Sequence, residues 1–188
     1  MDSRVPIITA SSCLELTLAM IKPHATKVPY IVKGVQNIII SNDFYIVRSK
    51  QMTISPDLAE AFYKEHKDKF FYNRLITLMS SGISHVYILA RQNAIKKWRE
   101  IMGPTKVFKA KISHPHSIRG QFGLTDTRNV THGSDSVESF KKEVSLLFPE
   151  FNVNKWYETE EIHFRSNNEY FESNPRARKQ HRLAPFLQ

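Results

Sequence analysis

The sequence has only one cysteine, Cys13, and therefore no internal disulfide framework. A lone cysteine ordinarily serves as a small apolar residue, and it fits a reducing compartment. No apolar run approaches the roughly 20 residues that a transmembrane helix needs, and the mean hydropathy of −0.39 agrees with this. Internal repeats are also missing. These shortages exclude a disulfide-rich scaffold, a membrane-spanning helix and a solenoid, so a chain of 188 residues with 41% apolar residues suits one globular domain.

Acidic residues are fewer than basic ones. The sequence has 18 Asp and Glu and 27 Lys and Arg, which gives a formal net charge of +9. Such an excess favours polyanionic partners, and nucleotide phosphates, RNA, DNA and an anionic membrane surface all satisfy it. Residues 1–12 have neither the apolar core of a secretory signal nor the repeated arginines of a typical mitochondrial presequence. We therefore expect an intracellular protein, and the cytoplasm fits these residues best.

The stretch 129–136, Asn-Val-Thr-His-Gly-Ser-Asp-Ser, carries the strongest chemical signal. Its histidine precedes three good helix N-caps, and Asp135 with Glu138 matches a capping box. We therefore expect His132 at the threshold of a helix, beside unpaired backbone N–H groups that attract phosphate. A ring nitrogen held there can attack a phosphoryl group, whereas a polar loop residue is the alternative that this stretch alone leaves open.

Hydrophobic periodicity divides the chain into strands and helices. The predicted strands cover 14–21, 44–54, 85–90 and a last segment through 129–130, and the predicted helices cover 29–41, a stretch beginning at 55–57, 70–81, 93–101 and 136–148. Asn93 is the expected N-cap of one helix and Gly82 the expected C-cap of another, while 105–115 is predicted to be an irregular basic loop. This order predicts an α+β domain, a ferredoxin-like antiparallel four-stranded sheet with helices packed on one face.

Composition places the domain boundaries. We predict an N-terminal extension at 1–13, the folded domain at 14–161, and a basic, mobile or loosely docked tail at 162–188. Nucleic-acid binding through the tail is one hypothesis, and a solvated extension is the interpretation we favour.

Several motifs occur in the order typical of nucleoside diphosphate kinases, from about residue 15 to Tyr157, and the chain resembles that family over most of its length. They are Ala19-Met20-Ile21-Lys22-Pro23, Phe70-Phe71, Met79-Ser80-Ser81-Gly82, Met102-Gly103-Pro104-Thr105, Ser117-Ile118-Arg119-Gly120-Gln121-Phe122-Gly123 and His132-Gly133-Ser134-Asp135-Ser136. The chain is most similar to the divergent type-6 group of the family, through 104–110 and 123–128. The resemblance implies the same ferredoxin-like fold, and it adds a mitochondrial location as an alternative to the cytoplasm.

The resemblance also implies an activity. His132 would take the γ-phosphoryl of a nucleoside triphosphate, chiefly ATP, and pass it to a nucleoside diphosphate. Glu143 would orient the imidazole, and Ser134 would hydrogen-bond beside it.

The remaining site residues are likewise implied by the resemblance. Positive and hydroxyl groups would hold the phosphates, namely Lys22 and Tyr63 near the moving phosphoryl and Arg99, Thr105 and Arg119 on the others. Asn129 would contact the sugar, Phe71 would stack on the base, and Leu75 would line the base pocket. Mg²⁺ would arrive with the polyphosphate, since the sequence shows no carboxylate cluster for a dedicated metal site.

Four departures from the family pattern keep a second function open. His24 replaces a usual Asp, Asp126 replaces an apolar residue opposite the stacking ring, Phe70 replaces a proline, and the loop 105–119 is longer than usual. That loop helps build the family's hexamer, so homo-oligomerisation is left open. The alternative to an active kinase is a catalytically weak nucleotide-binding or interaction protein of the same fold, for which a protein partner is also open.

Overall fold

The computed structural model describes residues 13–165. Its strands are β1 (Glu15–Ile21), β2 (Tyr45–Thr53), β3 (Ile83–Arg91) and β4 (Thr131–Gly133). They form one sheet in the order β2-β3-β1-β4, and every neighbouring pair is antiparallel. The helices are α1 (Pro23–Thr26), α2 (Pro29–Ser41), α3 (Pro56–Phe62), α4 (Tyr72–Met79), α5 (Ala94–Met102), α6 (Val107–Ser113), α7 (Ile118–Phe122), α8 (Val137–Leu147) and α9 (Val153–Thr159), with a 3₁₀ turn at Lys64–His66. The ferredoxin-like sheet predicted from the sequence is confirmed.

Strand β1 lies in the middle of the sheet and positions the candidate site. It pairs with β3 from Glu15 opposite Arg91 to Ile21 opposite His85. On its other side, Met20 lies opposite His132 of β4. The register therefore places His132 beside the end of β1, directly before Lys22.

Helices cover both faces of the sheet, whereas the sequence analysis predicted helices on one face only. Alternate residues of β1 point to opposite faces, and both sets are buried. One hydrophobic cluster joins β1 to α3, α4, α8 and α9, and the other joins it to α1, α2, α5 and α7. A strand that is apolar on both faces requires two layers of helices to exclude water.

The segment predicted as an irregular loop, 105–115, contains helix α6, so that prediction was wrong. Lys106 at the N-cap position provides no side-chain cap. Instead, Asp126 Oδ1 accepts a hydrogen bond of 2.9 Å from the Val107 amide. Because the cap comes from a residue 19 positions later, the local sequence gives no start signal for this helix.

Two predicted caps also differ from the structure. The C-cap of α4 is Ser80 rather than Gly82. Asn93 precedes α5 in a left-handed conformation, with φ of 53°, and its side chain makes no capping hydrogen bond. Glu15 Oε2 accepts a bond of 2.9 Å from the Ile95 amide instead. The last strand, predicted to run through 129–130, is Thr131–Gly133 in the structure.

The end of the described chain packs against the fold near residue 161, where the domain boundary is predicted, and that boundary stays a prediction. Glu161 is buried, and its Oε1 accepts a hydrogen bond of 3.0 Å from the Leu14 amide at the start of the fold. Phe164 packs edge-on against Tyr45, with ring centroids 5.8 Å apart. Most of the predicted extension and tail, residues 1–12 and 166–188, lies outside the described residues. Within 13–165, no helix has the length and apolar character to cross a bilayer.

Candidate active site

His132 lies on strand β4, five residues before α8 begins at Val137. The helix predicted to follow His132 at 136–148 is therefore present, but His132 lies four residues before its N-cap, Ser136. Ser136 is the N-cap of α8 and accepts a hydrogen bond of 3.0 Å from the Ser139 amide, so the predicted Asp135–Glu138 capping box is not used. The His132 side chain is 20% exposed, which leaves one side of the ring accessible.

Glu143 and Ser134 hold the imidazole. His132 Nε2 lies 2.7 Å from Glu143 Oε1, and Ser134 Oγ donates a hydrogen bond of 2.5 Å to Glu143 Oε2. The Leu18 amide donates to Ser134 Oγ at 3.3 Å, which ties the three side chains to β1. In the neutral ring the carboxylate accepts a hydrogen bond from Nε2–H, so Nδ1 keeps its lone pair. This arrangement prepares Nδ1 as a nucleophile.

Two aromatic side chains flank the imidazole edge-on. The centroid of the His132 ring is 5.0 Å from that of Phe62 and 5.8 Å from that of Tyr63. The Tyr63 hydroxyl is buried without a hydrogen-bond partner among the described residues. Burial, and secondly the charge of Glu143, raise the pKa of Tyr63 far above its usual range. The hydroxyl therefore stays protonated and can donate to a ligand oxygen.

Lys22 and Asn129 form a buried pair next to β4. Lys22 Nζ donates to Asn129 Oδ1 at 2.7 Å and to the Thr127 carbonyl at 3.4 Å. Burial, with a smaller contribution from Arg119, lowers the pKa of Lys22 to about 7. The amine is therefore about half protonated at neutral pH, and an entering phosphate would favour its charged form. Asn129, predicted to contact the sugar, is bonded to Lys22 in this structure.

Arg119 lies on α7 with its guanidinium turned inward. Its Nη1 donates to the Gly103 carbonyl at 2.7 Å and lies 3.4 Å from Thr105 Oγ1, while Nη2 donates to the Thr131 carbonyl at 3.2 Å. Its Nε is buried without a partner among the described residues. Burial, with Arg99 as the second cause, lowers the pKa of Arg119 to about 10, so the group remains cationic at neutral pH.

The three residues predicted to hold phosphates line one cleft. Arg99, Thr105 and Arg119 surround a volume of about 300 Å³, together with Gly103 and His114. Arg99 and Thr105 are exposed, and Arg119 is buried at the base. Two guanidinium groups beside a hydroxyl match the donor set that phosphate oxygens require.

The structure does not bring the predicted base-binding residues into that cleft. Phe71 precedes α4 and is half-buried, while Leu75 is 6% exposed and belongs to the hydrophobic core. Phe71 is linked to the site through His66, whose ring is 5.8 Å from Phe71 and stacks 6.1 Å from Tyr63. Phe70, by contrast, is 88% exposed. The assignment of Phe71 and Leu75 to the base stays a prediction.

Sequence reasoning did not predict the contacts of Asp126 and His24, two of the positions that depart from the family pattern. Asp126, expected opposite the stacking ring, caps α6. His24 lies on α1, and its Nε2 accepts a hydrogen bond of 3.3 Å from the Val130 amide. The backbone carbonyls that hold Lys22 and Arg119 were also missed, since no side-chain pattern marks them.

No group of three or more His, Cys, Asp or Glu side chains in residues 13–165 is arranged to hold a metal ion. The charged groups that line the cleft with Thr105 are Arg99, Arg119 and Glu100. The two guanidinium groups outnumber the one carboxylate, which suits an anionic ligand.

The sheet order and a carboxylate-oriented histidine beside a cationic cleft define a phosphate-handling enzyme of ferredoxin-like fold. Residues 15–153 match the family model described as nucleoside diphosphate kinase, and the chain belongs to that family. It is 48% identical over 170 residues to nucleoside diphosphate kinase 6 of Xenopus tropicalis, which covers 90% of this chain and 93% of the relative. The predicted similarity to the type-6 group is thereby confirmed.

Solved structures of the family share the fold. The nucleoside diphosphate kinase of Aquifex aeolicus superposes with a TM-score of 0.69 and 36% identity, over 72% of this chain and 95% of that one. A halophilic nucleoside diphosphate kinase from Halobacterium salinarum, in complex with CDP, gives a TM-score of 0.66 and 26% identity, over 76% and 97% of the two chains.

Proposed function

We propose that this chain is an active nucleoside diphosphate kinase that transfers the γ-phosphoryl of a nucleoside triphosphate, chiefly ATP, to nucleoside diphosphates through phosphohistidine at His132. The observation that carries the proposal is the 2.7 Å contact between His132 Nε2 and Glu143 Oε1, since in the neutral ring it holds the proton on Nε2 and leaves the Nδ1 lone pair free to attack. Family membership and the CDP bound to the Halobacterium relative support a nucleotide as the ligand.

The transfer requires two half-reactions. In the first, Nδ1 of His132 forms a bond to the γ-phosphorus, the bond from that phosphorus to the bridging oxygen breaks, and the diphosphate leaves with the bond electrons. The ring then carries positive charge, which the Glu143 carboxylate stabilises through Nε2–H. In the second half-reaction, a terminal oxygen of another diphosphate attacks the phosphorus and the imidazole leaves.

Each surrounding group has a task in this proposal. Arg99, Arg119 and Thr105 bind the phosphates of the nucleotide, while Lys22 and the Tyr63 hydroxyl neutralise or solvate oxygens of the moving group. Mg²⁺ enters bound to the polyphosphate, and it supplies further charge neutralisation there.

Incubation with γ-³²P-labelled ATP tests the proposal. Wild type should acquire a label that is stable in base and labile in acid, and His132→Ala should acquire none. His116→Ala is the matched control, because His116 is an exposed histidine outside the site. Addition of a different nucleoside diphosphate should remove the label as the corresponding triphosphate. Absence of label on folded wild type would contradict the proposal.

A second candidate is a nucleotide-binding protein of the same fold with weak catalysis. It is favoured by the internal bonding of the site, since Lys22 Nζ is held by Asn129 and Arg119 by two backbone carbonyls. Calorimetric binding of ADP without formation of phosphohistidine would support it. The oligomeric state, nucleic-acid binding by the tail and the cytoplasmic or mitochondrial location stay predictions from the sequence.

A further inference from the structure

Val130, two residues before His132, has a backbone conformation that valine rarely adopts. Its φ of 73° lies in the left-handed region, where a β-branched side chain is strained. The Thr131 amide donates to the Asn129 carbonyl at 2.9 Å, so these three residues form a tight turn. Such a turn persists only when surrounding contacts hold it.

Two contacts from the segment after β1 hold the peptide groups of Val130. The Lys22 amide donates to the Val130 carbonyl at 2.8 Å. On the other side, His24 Nε2 accepts from the Val130 amide at 3.3 Å. Val130 itself is fully buried, so without His24 its amide has no hydrogen-bond acceptor among the described residues.

His24 can accept this hydrogen bond in only one protonation state of its ring. Nε2 accepts a hydrogen bond when it carries no proton, so the proton of the neutral ring lies on Nδ1. That Nδ1 is buried and has no partner in the described part of the chain. Burial, followed by the charge of Lys22, lowers the pKa of His24 to about 4, in agreement with a neutral ring.

We propose that His24 is a positioning residue for His132: by accepting the Val130 amide hydrogen it stabilises the left-handed turn that fixes the start of β4 and hence the nucleophile. This inference rests on the proposed function for its catalytic part. His24 shows no contact with the Arg99–Arg119 cleft, so it acts through the backbone rather than on the substrate.

The first test measures the turn itself and does not depend on activity. In wild type, ¹⁵N NMR should show His24 neutral with its proton on Nδ1, and the Val130 amide should exchange slowly. In His24→Ala that amide should exchange at least about tenfold faster, because a buried hydrogen bond is lost. His24→Gln should restore slow exchange, since the glutamine oxygen reaches about as far as Nε2 and accepts the same bond.

A matched control separates this contact from general loss of a half-buried imidazole. His85 on β3 is likewise half-buried, and its side chain makes no hydrogen bond among the described residues. His85→Ala should leave Val130 exchange unchanged. Unchanged Val130 exchange in folded His24→Ala, or a wild-type His24 protonated on Nε2, overturns the proposal whatever the activity.

The second test measures phosphorylation of His132 in a single turnover with ATP. His24→Ala should lower the rate at saturating ATP about tenfold, with little change in the half-saturating concentration, because His24 does not line the Arg99–Arg119 cleft that would bind the phosphates. His24→Gln should regain most of the rate. A rate in His24→Ala equal to wild type overturns the catalytic part, even where the amide data support the turn. Wild type without any label instead overturns the proposed function, and the amide data then decide the structural part alone.

Discussion

The Glu143 carboxylate bridges His132 of strand β4 and Ser134 just after it, because its Oε1 lies 2.7 Å from His132 Nε2 and its Oε2 accepts a hydrogen bond of 2.5 Å from Ser134 Oγ. Both oxygens are thus fixed, and the carboxylate cannot rotate to accept from another donor. Glu143 lies on α8 among Phe140, Val144 and Leu147, which pack into the core. The orientation of the imidazole therefore depends on the packing of a whole helix.

Replacing Glu143 with glutamine should slow phosphorylation of His132 by about 10- to 100-fold, since an amide weakens a charge-assisted hydrogen bond and can donate to the ring in the wrong tautomer. Rapid-quench measurement with labelled ATP gives the rate. Glu138→Gln provides the control, because Glu138 is an exposed acid on the same helix. Equal rates for Glu143→Gln and wild type would show that the bridge has no role in transfer.

Residue 133 must be glycine because the indole of Trp98 lies directly against it. A Cβ at Gly133 would collide with Trp98 Cδ1 and Nε1, and the same Nε1 donates to the His132 carbonyl at 3.2 Å. We expect Gly133→Ala to lower the free energy of unfolding by about 1–3 kcal/mol, as overpacking of a core does. Urea unfolding followed by circular dichroism measures it.

Gly82→Ala is the control for this substitution, since a Cβ there would meet Lys27 Cε at an ordinary 3.7 Å. Its midpoint should stay close to that of wild type. If Gly133→Ala unfolds at the same urea concentration as Gly82→Ala, the close approach of the two elements is not as the structure shows.

Local patterns in the sequence predicted the elements that depend on local chemistry. Helix α3 begins at Pro56, as the Ser55-Pro56-Asp57 start signal predicted, and the Ser55 side chain accepts a hydrogen bond of 3.2 Å from the Leu58 amide. The burial of β1 was likewise predictable from the nearly continuous apolar residues of that strand. These features require no knowledge of distant parts of the chain.

The features that could not be predicted depend on contacts between distant segments. Glu15 caps α5 and Asp126 caps α6, and neither acid lies next to the helix that it caps. The same holds for the left-handed Val130, whose amide is bonded by His24. The resemblance predicted which residues form the site. The backbone carbonyls that hold Lys22 and Arg119 could be identified only from the fold.

The cap on α6 gives a stability prediction. Asp126→Ala should remove the acceptor for the Val107 amide and cost about 0.5–2 kcal/mol of local stability. Amides in 107–113 should then exchange faster by hydrogen–deuterium exchange mass spectrometry, while the sheet keeps its protection. Asp126→Asn retains an acceptor oxygen and should behave like wild type. Asp68→Ala, at another exposed aspartate, is the control for loss of charge. Unaltered exchange of α6 in Asp126→Ala would rule out the cap.

The low pKa of Lys22 predicts that nucleotide binding consumes protons. Burial lowers the pKa of the free amine to about 7, and a bound phosphate raises it because the charged form gains a partner. The protonated form binds the anion better, so affinity for ADP should fall as pH rises above about 7, by at most about tenfold per pH unit.

Isothermal titration calorimetry in buffers of different ionisation enthalpy measures the proton uptake directly, and we expect uptake between the free and bound pKa values. Lys22→Met should bind ADP more weakly and without this uptake, because it has no titrating amine. Tyr30→Phe, at an exposed tyrosine on α2, should keep the wild-type uptake and serves as the control. Proton uptake that is the same in Lys22→Met and wild type would mean that the buried lysine does not meet the phosphates.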